Sequence, residues 1–402
     1  MCLVALALIA AASHALPKLP GRAFYADKIL TAERSGPGWI DHGVLLVQGE
    51  RIVGVGKAAE LGVPEHFERI DLGSRWIMPG MIDLHSHIGG SLGDINDMVL
   101  QLNAGLRVNP TVVPGNELLL RALAEGITTV LYIPGSGTNM GGAGLLLKTS
   151  GKSYETMLVR DPGSLKIAQG DNPTRWGYGM GRSLMNYHIR TELARGSAYA
   201  KGRLEGTRER DPRFDVFPEL FGRRTQVSTH TQIYQLVMQT IRIIRNEFQV
   251  DVYIDHGEFL GYLATEQAIQ SGVSAICGPR IVDNPNGRLD TDGRIQGVAA
   301  GYQSRGMPLV GFNTDAPVVP GEELSLQAGM SARYGFETGS LEAVRGLTIV
   351  PAIVAGIDAR VGSLEVGKEA DFVILGGDPA DPRSTVHSVW VQGEEVHSRT
   401  PR

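Results

Sequence analysis

Apolar residues recur along this chain in two rhythms, and the change between them separates its ends from its middle. Near the start, Ala23–Leu30, Gly43–Val47 and Arg51–Val55 are short apolar runs set apart by turn residues, the pattern of strands. Near the close, Asp371–Leu375 and Val386–Val391 repeat that pattern before the turn Gln392-Gly393-Glu394. Two half-sets of strands at opposite ends most economically join in one small domain. A composite β-sandwich domain of residues 16–76 and 352–402 is therefore expected. Between them, short apolar runs alternate with stretches of helical spacing, such as Asn116–Glu125 and Ile233–Glu247, which implies βα units and a parallel sheet. The candidate strands are Ile77–His85, Thr128–Ile133, Gly144–Lys148, Leu165–Ala168, Gln226–His230, Val252–His256, Ser274–Cys277 and Leu309–Asp315. Eight strand–helix units over 77–351 are the arithmetic of a (β/α)8 TIM barrel, within the α/β class.

An insertion of about 170–225, rich in Arg, separates the fourth and fifth strands. Its helix-permissive part, Met180–Glu205, is expected to cover the barrel mouth as a lid. Its arginines read first as a solvated helical face. With Arg107 near Asn109, they also hint at an anionic group on the substrate.

Composition narrows the picture. With 42% hydrophobic and 20% charged residues, the chain is globular, and 52 glycines among 402 residues suit many tight strand-to-helix loops. A net charge of −5 gives no reason to expect nucleic acid or an anionic membrane as partner. The first fifteen residues form an apolar run ending in Ser13-His14-Ala15, with small residues at the spacing a signal peptidase reads. Cleavage after Ala15 and export to the periplasm or medium are expected, although no Lys or Arg precedes the run. The run is shorter than the roughly 20 residues of a membrane span. Of the two cysteines, Cys2 would leave with the signal, so Cys277 has no disulfide partner and reads as a buried apolar residue.

The chemistry concentrates at the ends of the predicted strands. In Pro79-Gly-Met-Ile-Asp83-Leu-His85-Ser-His87, the two histidines fall on one side of a strand, because side chains alternate with period 2. His230 closes Gln226-Val-Ser-Thr-His230, His256 closes Val252-Tyr-Ile-Asp-His256, and Asp315 closes Val310-Gly-Phe-Asn-Thr-Asp315. Each is a potential metal ligand at the C-terminal tip of a strand, the face on which barrels carry their active sites. Any one of these histidines alone reads equally well as structural, but packing does not account for four of them with an aspartate, all at strand tips. The remaining histidines, His14, His42, His66, His188, His387 and His397, read as structural or surface residues.

On these segments the chain resembles the amidohydrolase superfamily, over nearly its whole length beyond the signal. Within it, the chain is most similar to the imidazolonepropionase-like group. The likeness includes the strand-one histidines, the histidines of strands five and six and the aspartate of strand eight. It also includes the tail Gly362-Ser-Leu-Glu-Val-Gly-Lys-Glu-Ala-Asp-Phe-Val-Ile-Leu375. Gly135-Ser-Gly-Thr-Asn-Met-Gly-Gly-Ala-Gly144 and Leu165-Lys-Ile-Ala-Gln-Gly-Asp-Asn-Pro173 are similar to segments of that group. The Gly-rich segment is otherwise a plain loop, with no clear helix start after it to hold a phosphate.

The resemblance implies one or two divalent ions, zinc above all, and a small-molecule substrate. His85, His87 and Asp315 would hold the more buried ion. Lys166 would bridge to a second ion on His230 and His256 if its amine is carboxylated, because an uncharged amine cannot join two cations. Lys148 and Asp171 are rival candidates for that role, and Lys166 snorkelling to the mouth or paired with an acid is the plain alternative. Asp315 would also take the proton of the attacking water and pass it to the leaving nitrogen. With a single ion, His230 or His256 would be free to orient the substrate. The expected activity is hydrolysis of the carbon–nitrogen bond of a small amide, dipeptide or cyclic amide. A mononuclear deaminase or ring-opening hydrolase and a non-catalytic binding barrel are the alternatives, and homo-oligomers are common in the family.

Overall fold

The computed structural model describes residues 21–283 and 295–399. The expected signal segment and its cleavage point lie outside that range, as does His14. Among the described residues, no helix is long and apolar enough to cross a membrane.

Strands from both ends of the chain lie in one sheet. From the start come β1 (Gly21–Leu30), β2 (Trp39–Gln48), β3 (Arg51–Lys57), β4 (Glu68–Asp71) and β5 (Trp76–Pro79). From the close come β14 (Phe372–Leu375), β15 (Val386–Val391) and β16 (Glu394–Ser398). The order is β16-β15-β14-β5-β1-β2-β3, with β4 paired to β1. Alternation along β1 and β14 buries Phe24 and Phe372 on one face, where they meet Trp390 at ring-centroid distances of 5.0 to 5.5 Å. Because β14 pairs with β5, the returning chain sits beside the strand that leads directly into the barrel.

The barrel strands are β6 (Met81–Ser86), β7 (Ile127–Tyr132), β8 (Met140–Lys148), β9 (Leu158–Ala168), β10 (Gln226–His230), β11 (Ile254–His256), β12 (Ala275–Cys277) and β13 (Val310–Phe312). Ladders join β6 to β10 in sequence order and β11 to β13 in the same way. The ring closes through bridges Val227↔Val252 and Thr231↔His256 on one side and Ser86↔Ala316 on the other. Inside the ring, Ile82, Leu84, Leu131, Leu146, Tyr253 and Ile276 form a core with Ile349, Val350 and Ala352 of the helix Ile349–Val354. That helix plugs the N-terminal end of the barrel. The larger core cluster lies between the strands and the surrounding helices.

One expectation needs correction. The third barrel strand is not parallel: β8 runs antiparallel to both β7 and β9. A parallel return needs a crossover of roughly a dozen residues or more, and the link 133–139 is too short to carry one. Both β8 and β9 are also longer than their apolar runs suggested, because they pair as a wide hairpin across Gly163 and Gly144. The insertion of about 170–225 carries a long helix. That helix, Arg182–Leu204, buries Ile189 and Leu193 in the same cluster as Phe217, Leu165 and Val227. At its start the helix reaches the strand tips through Asn186, whose Oδ1 lies 3.5 Å from Gln169 Nε2.

Candidate metal-binding active site

Five of the six predicted site residues sit at strand tips, and Lys166 lies two residues inside β9, beside Ser228 of β10. All six are buried. Asp83 and His85 lie in β6 and His87 just beyond it, and the rings of the two histidines meet edge to face at 5.1 Å. His256 and Asp315 lie where β11 and β13 give way to loops, and both adopt left-handed backbone, φ 69° and 50°. Such a backbone costs a non-glycine residue about 1 kcal/mol or more, and it turns both side chains into the barrel axis.

The hydrogen bonds fix which ring nitrogens face inward. His87 Nδ1 lies 2.8 Å from the carbonyl of Ile133, and His256 Nδ1 lies 2.6 Å from the carbonyl of Gly278. A carbonyl only accepts, so each Nδ1 carries the proton and each Nε2 presents a lone pair. His85 Nδ1 donates in the same sense to Asp255 Oδ2 at 2.7 Å. The freed Nε2 atoms converge: those of His85 and His87 lie 3.2 and 3.1 Å from Asp315 Oδ1, and that of His256 lies 2.9 Å from His230 Nδ1. The ligand atoms of His85, His87 and Asp315 lie within 4.8 Å of one another. The Nε2 lone pairs of His85 and His87 facing the Asp315 carboxylate are a donor set for a divalent ion, made of nitrogen and oxygen alone. His230 Nε2 is buried without a hydrogen-bond partner among the described residues, so this ring also keeps unused capacity.

Burial dominates the electrostatics. It pushes His85 and His256 down to about 4, helped by the charge of Lys166 at His85 and by the His85 ring at His256. Neutral imidazole is the form that binds metal. Burial also lowers Lys166 to about 8, and its Nζ lies 2.9 Å from His85 Nε2. For Asp315, burial works towards a higher value, but attraction to His85 and hydrogen bonds from the histidines hold its carboxyl well below the usual range.

Sequence reasoning missed Asp255 and passed over Asp83. Asp255, fully buried, accepts from His85 with one oxygen and from Asn313 Nδ2 at 2.9 Å with the other. Burial raises its pKa to about 7. Asp83 accepts the backbone N–H of His85 at 3.0 Å and the Thr314 hydroxyl at 2.5 Å, tying the first barrel strand to the last. The sequence signal was there in both cases, an acid inside an apolar strand. Strict alternation, however, sends Asp255 away from the side that His256 faces. The left-handed turn at His256 brings both inward.

The rival candidates lie elsewhere. Because β8 is antiparallel, its end delivers Lys148 to the opposite mouth, where it pairs with Asp371 at 2.5 Å and Glu369 at 2.9 Å. The side chain of Asp171 is outside the described residues. Arg107 is held by Asp161 at 2.8 Å, and Arg190, Arg195, Arg210 and Arg213 of the insertion each pair with an acid, so these five give no support to an anion-binding lid. Gly137 N of the Gly-rich loop donates to Asn96 Oδ1, a contact within the protein. Cys277 is buried and free, as expected.

Comparison with known proteins gives concordant results. The family model described as "Amidohydrolase family" matches residues 263–396. An imidazolonepropionase of Pseudomonas syringae pv. tomato is 26% identical over 393 residues, covering 87% of this chain and 94% of that protein. Amidohydrolase tasK of Hapsidospora irregularis is 22% identical over 90% of this chain, which spans only 40% of its length. Among solved structures, an amidohydrolase from Thermotoga maritima superposes with a TM-score of 0.81 at 28% identity, covering 94% of this chain and 100% of that one.

Proposed function

We propose that the chain is a member of the amidohydrolase superfamily, an amidohydrolase-type enzyme acting on carbon–nitrogen bonds, and a binuclear hydrolase of small amides. Its substrates on this reading are small amides, dipeptides or cyclic amides. The observation that carries it is the set of inward ring nitrogens of His85, His87, His230 and His256 around Asp315, with the outward nitrogens of three of them pinned to acceptors. His85, His87 and Asp315 would hold one zinc-type ion, and His230 and His256 a second. Lys166, carboxylated on Nζ, would offer two anionic oxygens between them. Such ions polarise the carbonyl under attack and lower the pKa of water towards about 7. Asp315 takes the proton from the attacking water and returns it to the leaving nitrogen. Its depressed pKa suits a base that acts on already acidified water. Asp255 keeps the proton of His85 on Nδ1, and the Gly278 carbonyl does the same for His256.

A second reading keeps the ligands with one ion. Lys166 then remains a free amine, and His230, with its unpartnered Nε2, orients the substrate of a deaminase or ring-opening hydrolase. The tail sheet with the barrel reads as a composite β-domain of 16–76 and 352–402 around a 77–351 barrel. Export after cleavage at Ala15 belongs to the same proposal, and an intact Met1 on secreted protein would refute it.

The test is a hydrolysis screen of dipeptides, N-acyl amino acids and cyclic amides with zinc-loaded protein. Turnover of at least one class, abolished by chelator, restored by zinc and absent from Asp315→Asn, is expected. Turnover that survives exhaustive chelation would refute the metal-dependent reading.

A further inference from the structure

A second pocket lies at the closed end of the barrel, opposite the histidine-bearing tips. Its wall includes Arg160 of β9, Arg223 and Arg224 just before β10, Arg245, and the last turn of the plug helix at Ala355. Four guanidiniums thus gather on one concavity of a chain whose formal net charge is −5.

Their counter-charges fall short. Asp251 is shared, its Oδ1 lying 2.7 Å from Arg245 Nη1 and 3.2 Å from Arg223 Nη2. Glu219, outside the pocket, engages Arg224 at 2.7 Å. Four cations against these two carboxylates leave a surplus of two. Arg160 is where the surplus is deepest. Its guanidinium donates to the Ala355 carbonyl at 2.6 Å, the Gly163 carbonyl at 2.8 Å and Gln226 Oε1 at 2.7 Å, all neutral oxygens. Among the described residues it has no carboxylate in ion-pair range, and burial pushes it down to about 10.

Capping the plug helix accounts for one of those bonds and leaves the uncompensated charge unexplained. Two neighbours on the same wall add a second signal. Thr225 is 3% exposed and Gln226 is 4% exposed, yet Thr225 Oγ1 and Gln226 Nε2 lack hydrogen-bond partners among the described residues. Buried polar atoms are satisfied in the great majority of cases, so orphans clustered beside the uncompensated guanidinium of Arg160 point to something missing from the wall. Arg223, moreover, holds a left-handed backbone, φ 57°, next to the other three arginines.

We propose that this pocket binds a small oxyanion carrying two negative charges, at a site separate from the histidine-lined mouth. Guanidinium forks match the paired oxygens of phosphate and of carboxylate, and a dianion answers the surplus of two. The site does not depend on the catalytic assignment, because it is read by binding and not by turnover.

The experiment is titration calorimetry of the full-length, metal-loaded protein with inorganic phosphate and, separately, malonate. One saturable site per chain is expected, and the tighter of the two anions identifies the source as phosphate or dicarboxylate. The double variant Arg223→Asn and Arg224→Gln, in which Asn tolerates the left-handed backbone, should bind at least tenfold more weakly. His230→Asn, at the mouth, should bind as the wild type does. Arg160→Lys, which keeps the charge and loses the fork, should also weaken binding, and if it fails to fold the exposed double variant alone decides. Absence of saturable heat with either anion at millimolar concentration would overturn the proposal. So would binding that survives the double variant, or binding that is lost in His230→Asn.

Discussion

Asp255 is a residue on which the proposed site turns although it stands behind the metal ligands. It fixes the tautomer of His85 from behind, as outer carboxylates do for metal-bound imidazoles, and loss of such partners costs 10–100-fold in metal affinity. Asp255→Asn should therefore retain the fold and weaken zinc binding by about that factor, measured by competition with a chromophoric chelator; unchanged affinity would remove Asp255 from the site. Lys166 carries a pH expectation of definite sign. Carboxylation joins a neutral amine to carbon dioxide with release of a proton, and burial brings that amine to about 8 from an ordinary 10.5. Uptake of the second metal by stripped protein in bicarbonate should accordingly rise as pH increases through about 8, and uptake indifferent to pH and bicarbonate would contradict the bridge. At this scale the gathering of His85, His87, His230, His256 and Asp315 was legible in the sequence, because each closes a short apolar run at a strand tip. Asp255 was not legible, because the backbone at His256 departs from the strand alternation on which that reading relied.

Among the elements, the β8–β9 pair departs furthest from expectation. The sequence reading began the fourth strand at Leu165, and β9 instead extends from Leu158 to Ala168, with an irregular register against β8 between Arg160 and Ser164. Gly163 permits this. A Cβ there would stand 2.5 Å from the backbone carbon of Leu145 and the nitrogen of Leu146 on the neighbouring strand. Gly163→Ala should thus destabilise the protein by about 1–3 kcal/mol, the range for overpacking a filled site, in equilibrium denaturation. A change below about 0.5 kcal/mol would mean that the two strands do not approach as described. The reversed direction of β8 also explains why Lys148 and Lys166, similar in sequence context, end on opposite faces of the barrel. The expected helical stretch Asn116–Glu125 followed from its apolar spacing and is found as Glu117–Ala124, capped by Asn116.

For the whole molecule, the two ends of the barrel divide the labour. The tips of the strands carry the histidines, and the opposite end carries the plug helix, the arginine-lined pocket and the buried ion network of Lys148, Asp371, Glu369 and Arg360 that fastens the tail to the barrel. Lys148→Ala would leave Asp371 and Glu369 short of a buried countercharge, a change that costs about 3–5 kcal/mol. Denaturation should show that loss while bound metal stays at the wild-type level; loss of metal without loss of stability would exchange the parts given to the two lysines. Long-range pairings of this kind were beyond the sequence, since no local pattern tells Lys148 that its partners lie in the tail. The central claim, a two-ion hydrolytic centre bridged by Lys166, is tested most directly by elemental analysis of protein purified without chelators, beside a Lys166→Ala variant. The expected result is about two equivalents of zinc-like metal per chain, falling to about one in the variant. One equivalent in both would contradict the bridge, and no metal in either after zinc supplementation would contradict the metal centre itself.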